Sequence, residues 1–240
     1  MKNCKNISGT SLGKIGAAGL LCFLLTSCLK ENNSTNYTPP TALISFIQAS
    51  PDEPPLDFYL NSNKVNQGVI YFGNYINYVS AYAGTRTANF YTSGTMNLLL
   101  SGTITLNPNT AYSLFLGNVP TNPQILMLTD TLIKPTAGNA SVRFVNLSPD
   151  APAVDLAIQG GAVLVHNISN KGYSTFIPVP VNAGYTFEVR QAGTGTVLAT
   201  LTNVPLVNGS VYTIWFGGLV ASTNNTDRLN VNIYTNAFFL

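Results

Sequence analysis

Residues 42–57 read A-L-I-S-F-I-Q-A-S-P-D-E-P-P-L-D, and residues 140–155 read A-S-V-R-F-V-N-L-S-P-D-A-P-A-V-D. The second stretch repeats the first 98 residues later, without a gap. Phe46 answers Phe144, Ser50 answers Ser148, Pro51 answers Pro149, Asp52 answers Asp150 and Asp57 answers Asp155. The match continues downstream. Ala83-Gly84 pairs with Ala183-Gly184, and Y-S-L-F-L-G (Tyr112 to Gly117) pairs with Y-T-I-W-F-G (Tyr212 to Gly217). Leu128 to Ile133 aligns with Tyr234 to Phe239. Each unit is thus about 100 residues, the size of an immunoglobulin-like sandwich. Two such units are too few and too large for a solenoid.

Hydrophobic alternation has period two nearly throughout, so the units are β. Strands are expected at 42–48, 56–60, 69–82, 87–92, 98–106, 111–116 and 124–128. The second unit repeats the plan at 141–146, 154–158, 173–181, 185–191, 197–201, 211–216 and 229–234. Gly, Pro and Asn clusters mark the turns between them. No amphipathic helix stands out. The expected fold is all-β: two tandem immunoglobulin-like β-sandwich domains, at 41–134 and 139–240. Pro135 and Gly138 fall in the linker.

The chain begins with an address. Lys2, Lys5 and Lys14 precede an uncharged apolar run, Ile15 to Thr26. That run is shorter than the roughly 20 residues a spanning helix needs and suits the h-region of a secretory signal. It ends in Leu25-Thr26-Ser27-Cys28, which resembles the lipobox of bacterial lipoproteins. The resemblance implies cleavage before Cys28 and acylation of its thiol and new amino terminus. A thiol is easily alkylated, and each buried acyl methylene adds about 0.8 kcal/mol of membrane affinity. Residues 1–27 are then a signal peptide and 28–40 a tether with a stiff Pro39-Pro40 end. Lys30-Glu31 resemble the export signal of Bacteroidota surface lipoproteins. The expected location is the outer membrane, facing out. Its periplasmic face is the alternative.

Processing changes the charge. The whole chain carries eleven Lys and Arg against nine Asp and Glu. Three of the lysines leave with the signal, so the side chains of the mature part sum to −1. No basic field remains for nucleic acid. Cys4 and Cys22 also leave, and Cys28 is the anchor. The body folds on burial alone, without a disulfide.

The second copy, with S-P-D-A-P-A-V-D followed by A-G-Y-T-F-E-V-R (Ala183 to Arg190), resembles the bacterial domain-of-unknown-function 4397 family. Its members are all-β extracytoplasmic modules, often in tandem and often on lipoproteins. The first copy departs from the pattern at Glu53, Pro55 and Thr85-Arg86-Thr87. The resemblance implies a fold and an address. It implies no activity.

The repeated Ser50, Pro51, Asp52 and Asp57, with Ser148, Pro149, Asp150 and Asp155, admit two readings. Asp52, Glu53 and Asp57 offer oxygen ligands to Ca²⁺. Alternatively the phrase is a turn, in which Pro sets φ and Asp accepts backbone N–H bonds. The turn reading is preferred, because calcium loops alternate acids closely around a Gly. No metal and no cofactor is expected. Arg143 is a possible partner for Asp155, although Ser45 replaces it in the first copy.

Trp215, the only Trp, shares a strand face with Thr213, opposite Tyr212, Ile214 and Phe216. It is a sugar-stacking platform or a packed contact between domains. The Tyr-rich stretch Tyr71, Tyr75, Tyr78 and Tyr82 raises the same question, with Tyr75 and Tyr78 as ligand contacts. Asp130-Thr131-Leu132 resembles a Bacteroidota O-glycosylation signal, with Thr131 as acceptor. His166, the only His, leaves little room for a Ser-His-Asp triad. The expected function is a non-enzymatic binding or spacer module contacting glycan, envelope protein or matrix. A periplasmic accessory subunit and a carboxylate-dependent hydrolase are the alternatives.

Overall fold

The computed structural model describes residues 38–240, apart from Asn225. The signal peptide, Cys28 and most of the tether lie outside the described residues.

Among the described residues sixteen strands follow one another, and the second eight repeat the first. The first half holds β1 (Thr41–Gln48), β2 (Leu56–Leu60), β3 (Asn63–Lys64), β4 (Tyr75–Tyr82), β5 (Gly84–Thr92), β6 (Leu98–Leu106), β7 (Ala111–Gly117) and β8 (Gln124–Asp130). The second half holds β9 (Asn139–Asn146), β10 (Val154–Ile158), β11 (Val163–Ile168), β12 (Ile177–Pro180), β13 (Asn182–Gln191), β14 (Val197–Leu206), β15 (Ser210–Gly217) and β16 (Asn230–Phe238). The protein is all-β and built of sandwiches, as the alternation predicts. The short β3 and its counterpart β11 were not among the expected strands.

Each half has two four-stranded sheets. Their orders are β4-β1-β7-β8 and β3-β2-β5-β6, then β12-β9-β15-β16 and β11-β10-β13-β14. β1 runs parallel to β7, with Ile44 opposite Tyr112. β9 runs parallel to β15, with Val142 opposite Tyr212. The two-sheet architecture is that of an immunoglobulin sandwich. The strand order differs from its ABED and CFG sheets, because the seventh strand lies beside the first.

Asn carries much of the turn chemistry. Asn61, Asn109, Asn118, Asn167 and Asn203 all have positive φ, the left-handed conformation that Asn tolerates better than most residues.

Each half closes around its own core. In the first, Phe46 on the inner sheet meets Phe58 and Phe90 on the outer sheet, with ring centroids 4.9 and 5.2 Å away. Phe144, Leu156, Phe187 and Phe216 fill the second. A third core lies between the halves. Ile47, Ala49, Phe115 and Leu128 pack on Val145, Leu147, Trp215 and Tyr234. These are the same positions of the two copies, four from each. The inner sheets therefore stack back to back, giving four layers: outer, inner, inner, outer. β1, β7, β9 and β15 are buried on both faces. This is why they read as nearly continuous apolar runs.

Candidate functional site

The repeated phrase is a corner. Ser50 N donates to the Gln48 side chain at 2.9 Å, and Ser50 Oγ to Asn118 O at 2.5 Å. Ser148 N donates to the Asn146 side chain at 3.0 Å, and Ser148 Oγ to Gly218 O at 2.7 Å. In both halves the serine pins the phrase to the loop that follows the seventh strand. Asp150 adds to this by accepting from Val220 N at 2.9 and 3.0 Å. Asp52 has moved to a different task. It adopts φ 62°, and its N–H donates to Asp227 Oδ1 of the second half at 3.3 Å. A side-chain hydrogen bond with Asp227 raises its pKa, with burial and the charge of Asp227 adding. Among the described residues no three His, Cys, Asp or Glu side chains gather as a metal site.

Asp57 and Asp155 hold the hairpin turns of the outer sheets. Asp57 accepts from Asn66 Nδ2 at 2.9 Å, Ser93 Oγ at 3.2 Å and Gly94 N at 3.1 Å, and pairs with Lys64 Nζ at 2.9 Å. Asp155 accepts from Asn167 N at 2.7 Å and Gly193 N at 3.2 Å. Burial pushes the Asp57 pKa up, but Lys64, Asn66 and the Gly94 N–H outweigh it and bring it down to about 2. A depressed carboxylate stabilises the fold above its ordinary pKa near 4, and this is lost as pH falls through about 2. At 1.36 kcal/mol per pKa unit, the shift corresponds to ~2 kcal/mol. Urea unfolding midpoints measured from pH 5 to pH 2 should show this loss. Asp57→Asn should remove that part of the slope, and an unchanged slope in the variant would assign it elsewhere.

Trp215 is not a stacking platform. Its indole is 1% exposed in the core between the halves, with the Phe72 ring 6.1 Å away at 77°. It packs there because the face it shares with Thr213 is the back of an inner sheet. A buried polar network borders it. Arg143 Nη1 pairs with Asp130 Oδ1 at 2.6 Å, so Asp130, not Asp155, is its partner. Arg143 also donates to Ser113 Oγ and Thr213 Oγ1, both at 3.0 Å. Ser113 Oγ and the Tyr78 hydroxyl donate to Asp130 Oδ2 at 2.7 and 2.5 Å. Tyr78 in turn accepts from Asn236 Nδ2 at 2.9 Å. Burial, then the Asp130 charge, pushes the Tyr78 phenol well above its ordinary pKa. Tyr78 is thus a strut across the halves rather than a ligand contact. Thr131 follows β8 directly and is exposed, with Asp130 engaged inward. His166 is exposed on β11.

Tyr75 has a different setting. It opens β4 at 47% exposure, its ring 5.7 Å from that of Tyr234. It lines a cleft of about 510 Å³ with Val65, Gln67, Gly68, Asn74 and Ile76. The loop is held from inside. Asn66 accepts from Phe58 N at 2.8 Å and donates to Asp57 and to Gly68 O. Tyr71 N donates to the Asn74 side chain at 3.0 Å, and Asn74 N returns a bond to Tyr71 O at 3.0 Å. No lining residue carries Lys, Arg, Asp, Glu or His. The Asp57 of the repeated phrase therefore braces the base of this cleft through Asn66. Tyr71, 57% exposed, stands in the same loop.

No curated protein matches the chain. Among solved structures, the crystal structure of CBMbc (family CBM26) from Eubacterium rectale Amy13K, in complex with maltoheptaose, aligns over 82% of this chain and 97% of that one. The identity is 11% and the TM-score 0.26, too low to establish a shared fold. The family model described as a domain of unknown function (DUF4397) matches residues 42–157. That match starts in the first copy of the phrase, crosses the first half and ends in β10, beyond the second copy. With both phrases inside the match, residues 42–157 belong to the DUF4397 family.

Proposed function

We propose that the protein is a lipid-anchored module of the cell envelope that binds an uncharged glycan at the Tyr75 cleft and does not turn it over. Cys28 carries the acyl chains, and the body faces outward from the outer membrane. The observation that supports the binding reading is the make-up of the cleft. Sugar rings present apolar C–H faces and hydroxyl edges. Tyr75 offers an aromatic face, and Gln67, Asn74 and the backbone at Gly68 and Gly73 offer amides. The wall is divided about evenly between polar and apolar surface, which suits both the faces and the edges of a sugar. The absence of ionisable side chains other than Tyr75 from that wall disfavours anionic and cationic ligands. Asp57, Asp130, Asp150 and Asp155 are engaged as described, which disfavours a carboxylate-dependent hydrolase built on these acids.

The test is a glycan array probed with the full chain carrying Cys28→Ala to keep it out of membranes. Saturable binding to neutral glycans is expected. Tyr75→Ala should weaken it about tenfold, because one aromatic contact contributes ~1.4 kcal/mol at the upper end of its range. Its urea midpoint should barely move, since the ring is half exposed. A flat array, or binding indifferent to Tyr75, overturns the reading. The anchor is tested separately: Cys28→Ala should leave the membrane fraction, and a processed form still retained there defeats it. Protease added to intact cells should release the body if it faces outward.

A further inference from the structure

A second cleft, of about 480 Å³, opens where the linker after β8 crosses onto the second half. Ile133, Pro135 and Thr136 form one wall. Tyr173 and Phe176, on the way into β12, and Pro178 within it form the other. Ser141 and Arg143 of β9 and Val211 of β15 also line it. We infer that this cleft is a binding site for a small uncharged aromatic molecule, separate from the Tyr75 cleft and not dependent on that reading.

Three observations carry it. The first is the wall itself. Rings and aliphatic groups dominate it, and hydroxyls of Thr129, Thr131, Thr136, Ser141 and Thr175 stand among them. Small-molecule sites have this composition, fall in this size range and favour the junctions between domains. The second is exposure. Ile133 and Tyr173 are 68% and 53% exposed. Apolar area left in water forgoes about 25 cal/mol per Å², and a ligand between the two walls would recover part of it. The third is preorganisation, with the buried guanidinium already paired. The Arg143 guanidinium sits 4.6 Å from the Phe176 ring centroid, which supports the ring from one side. Its charge is balanced by Asp130 at 2.6 Å, and Ser113 and Thr213 take further N–H bonds. Little of it is left to draw an anion. Lys134 keeps its charge but is exposed at the edge of the cleft, where it donates to the main-chain oxygen of Leu240. A flat neutral ring bearing one hydroxyl matches these walls; a carboxylate or sulfonate would bury its charge among rings and aliphatic groups, with only the exposed Lys134 to meet it.

The probe is 2-naphthol, titrated calorimetrically into the full chain carrying Cys28→Ala. 2-Naphthalenesulfonate is the charged control. One-to-one saturable binding of the naphthol is expected, at least tenfold tighter than the sulfonate. Tyr173→Ser strips a wall and Thr136→Trp fills the opening. Each should weaken naphthol at least tenfold, while the urea midpoint stays as in the parent. Both positions are exposed, so neither change threatens folding. No saturable naphthol binding, equal affinity for the sulfonate, or affinity unchanged in both variants overturns the assignment.

Discussion

Replacing Arg143 by Ser is expected to destabilise the protein by about 3–5 kcal/mol, the usual consequence of removing one member of a buried ion pair. A domain's whole stability is about 5–15 kcal/mol, so the variant should express poorly. The side chains of Arg143 and Asp130 are 3% and 0% exposed. Without the guanidinium, Asp130 stays in the interior with only the Ser113 and Tyr78 hydroxyls to stabilise its charge. The copies themselves supply the rescue. Ser45 occupies the position of Arg143 in the first half, and Asn236 that of Asp130 in the second. Asp130→Asn in the Arg143→Ser background removes the stranded charge and leaves an amide. The double variant should therefore be more stable than Arg143→Ser alone, with a coupling of at least ~1 kcal/mol in a double-mutant cycle of urea unfolding. Additive losses would show that the pair does not act as a unit.

This pair shows where the sequence was legible. The repeat, the strands and the corner phrase could be read because each leaves a local signal: alternation, turn residues or a matched motif. The back-to-back stacking of the inner sheets could not, since it joins residues about 100 positions apart and has no period of its own. Its signal was nonetheless present. Ser113 and Thr213, Phe115 and Trp215, and Leu128 and Tyr234 occupy the outward positions of matched strands. Polar and large apolar groups mixed there are too apolar for a solvated face. Arg143 opposite Ser45 and Asp130 opposite Asn236 are complementary charges at matched sites. An ion pair follows only if the two faces meet.

The Tyr-rich stretch divided for the same reason. Alternation along β4 turns Tyr78 into the network between the halves. Tyr75, at the strand's first residue, sits on the cleft rim. Sequence alone held the two together as one aromatic cluster. The cleft itself was not foreseen. It is built by a loop, residues 65–74, whose shape depends on Asn66 reaching back to Asp57 and Phe58. Such a contact follows no spacing rule.

Trp215→Ala should lower stability by about 3–5 kcal/mol through the cavity it leaves, whereas Trp215→Phe, the residue at the matching position 115, should cost only about 1–2 kcal/mol. The indole's space depends on its neighbour. A Cβ added at Gly217 would lie 2.7 Å from Trp215 Cζ3, so glycine there makes room for the ring. As the only Trp, Trp215 also reports on the junction directly. The inner sheets belong to both halves, and opening the junction would expose the third core together with the Asp130–Arg143 pair. Undocking alone is therefore expensive. The red shift of Trp215 emission should coincide with loss of β circular dichroism in one transition. A red shift at lower urea, with the β signal intact, would mean that the halves separate before they unfold. The same variants decide the role of the indole. A sugar platform would lose binding in Trp215→Phe with little loss of stability. A junction residue loses stability and leaves glycan binding at Tyr75 as it was.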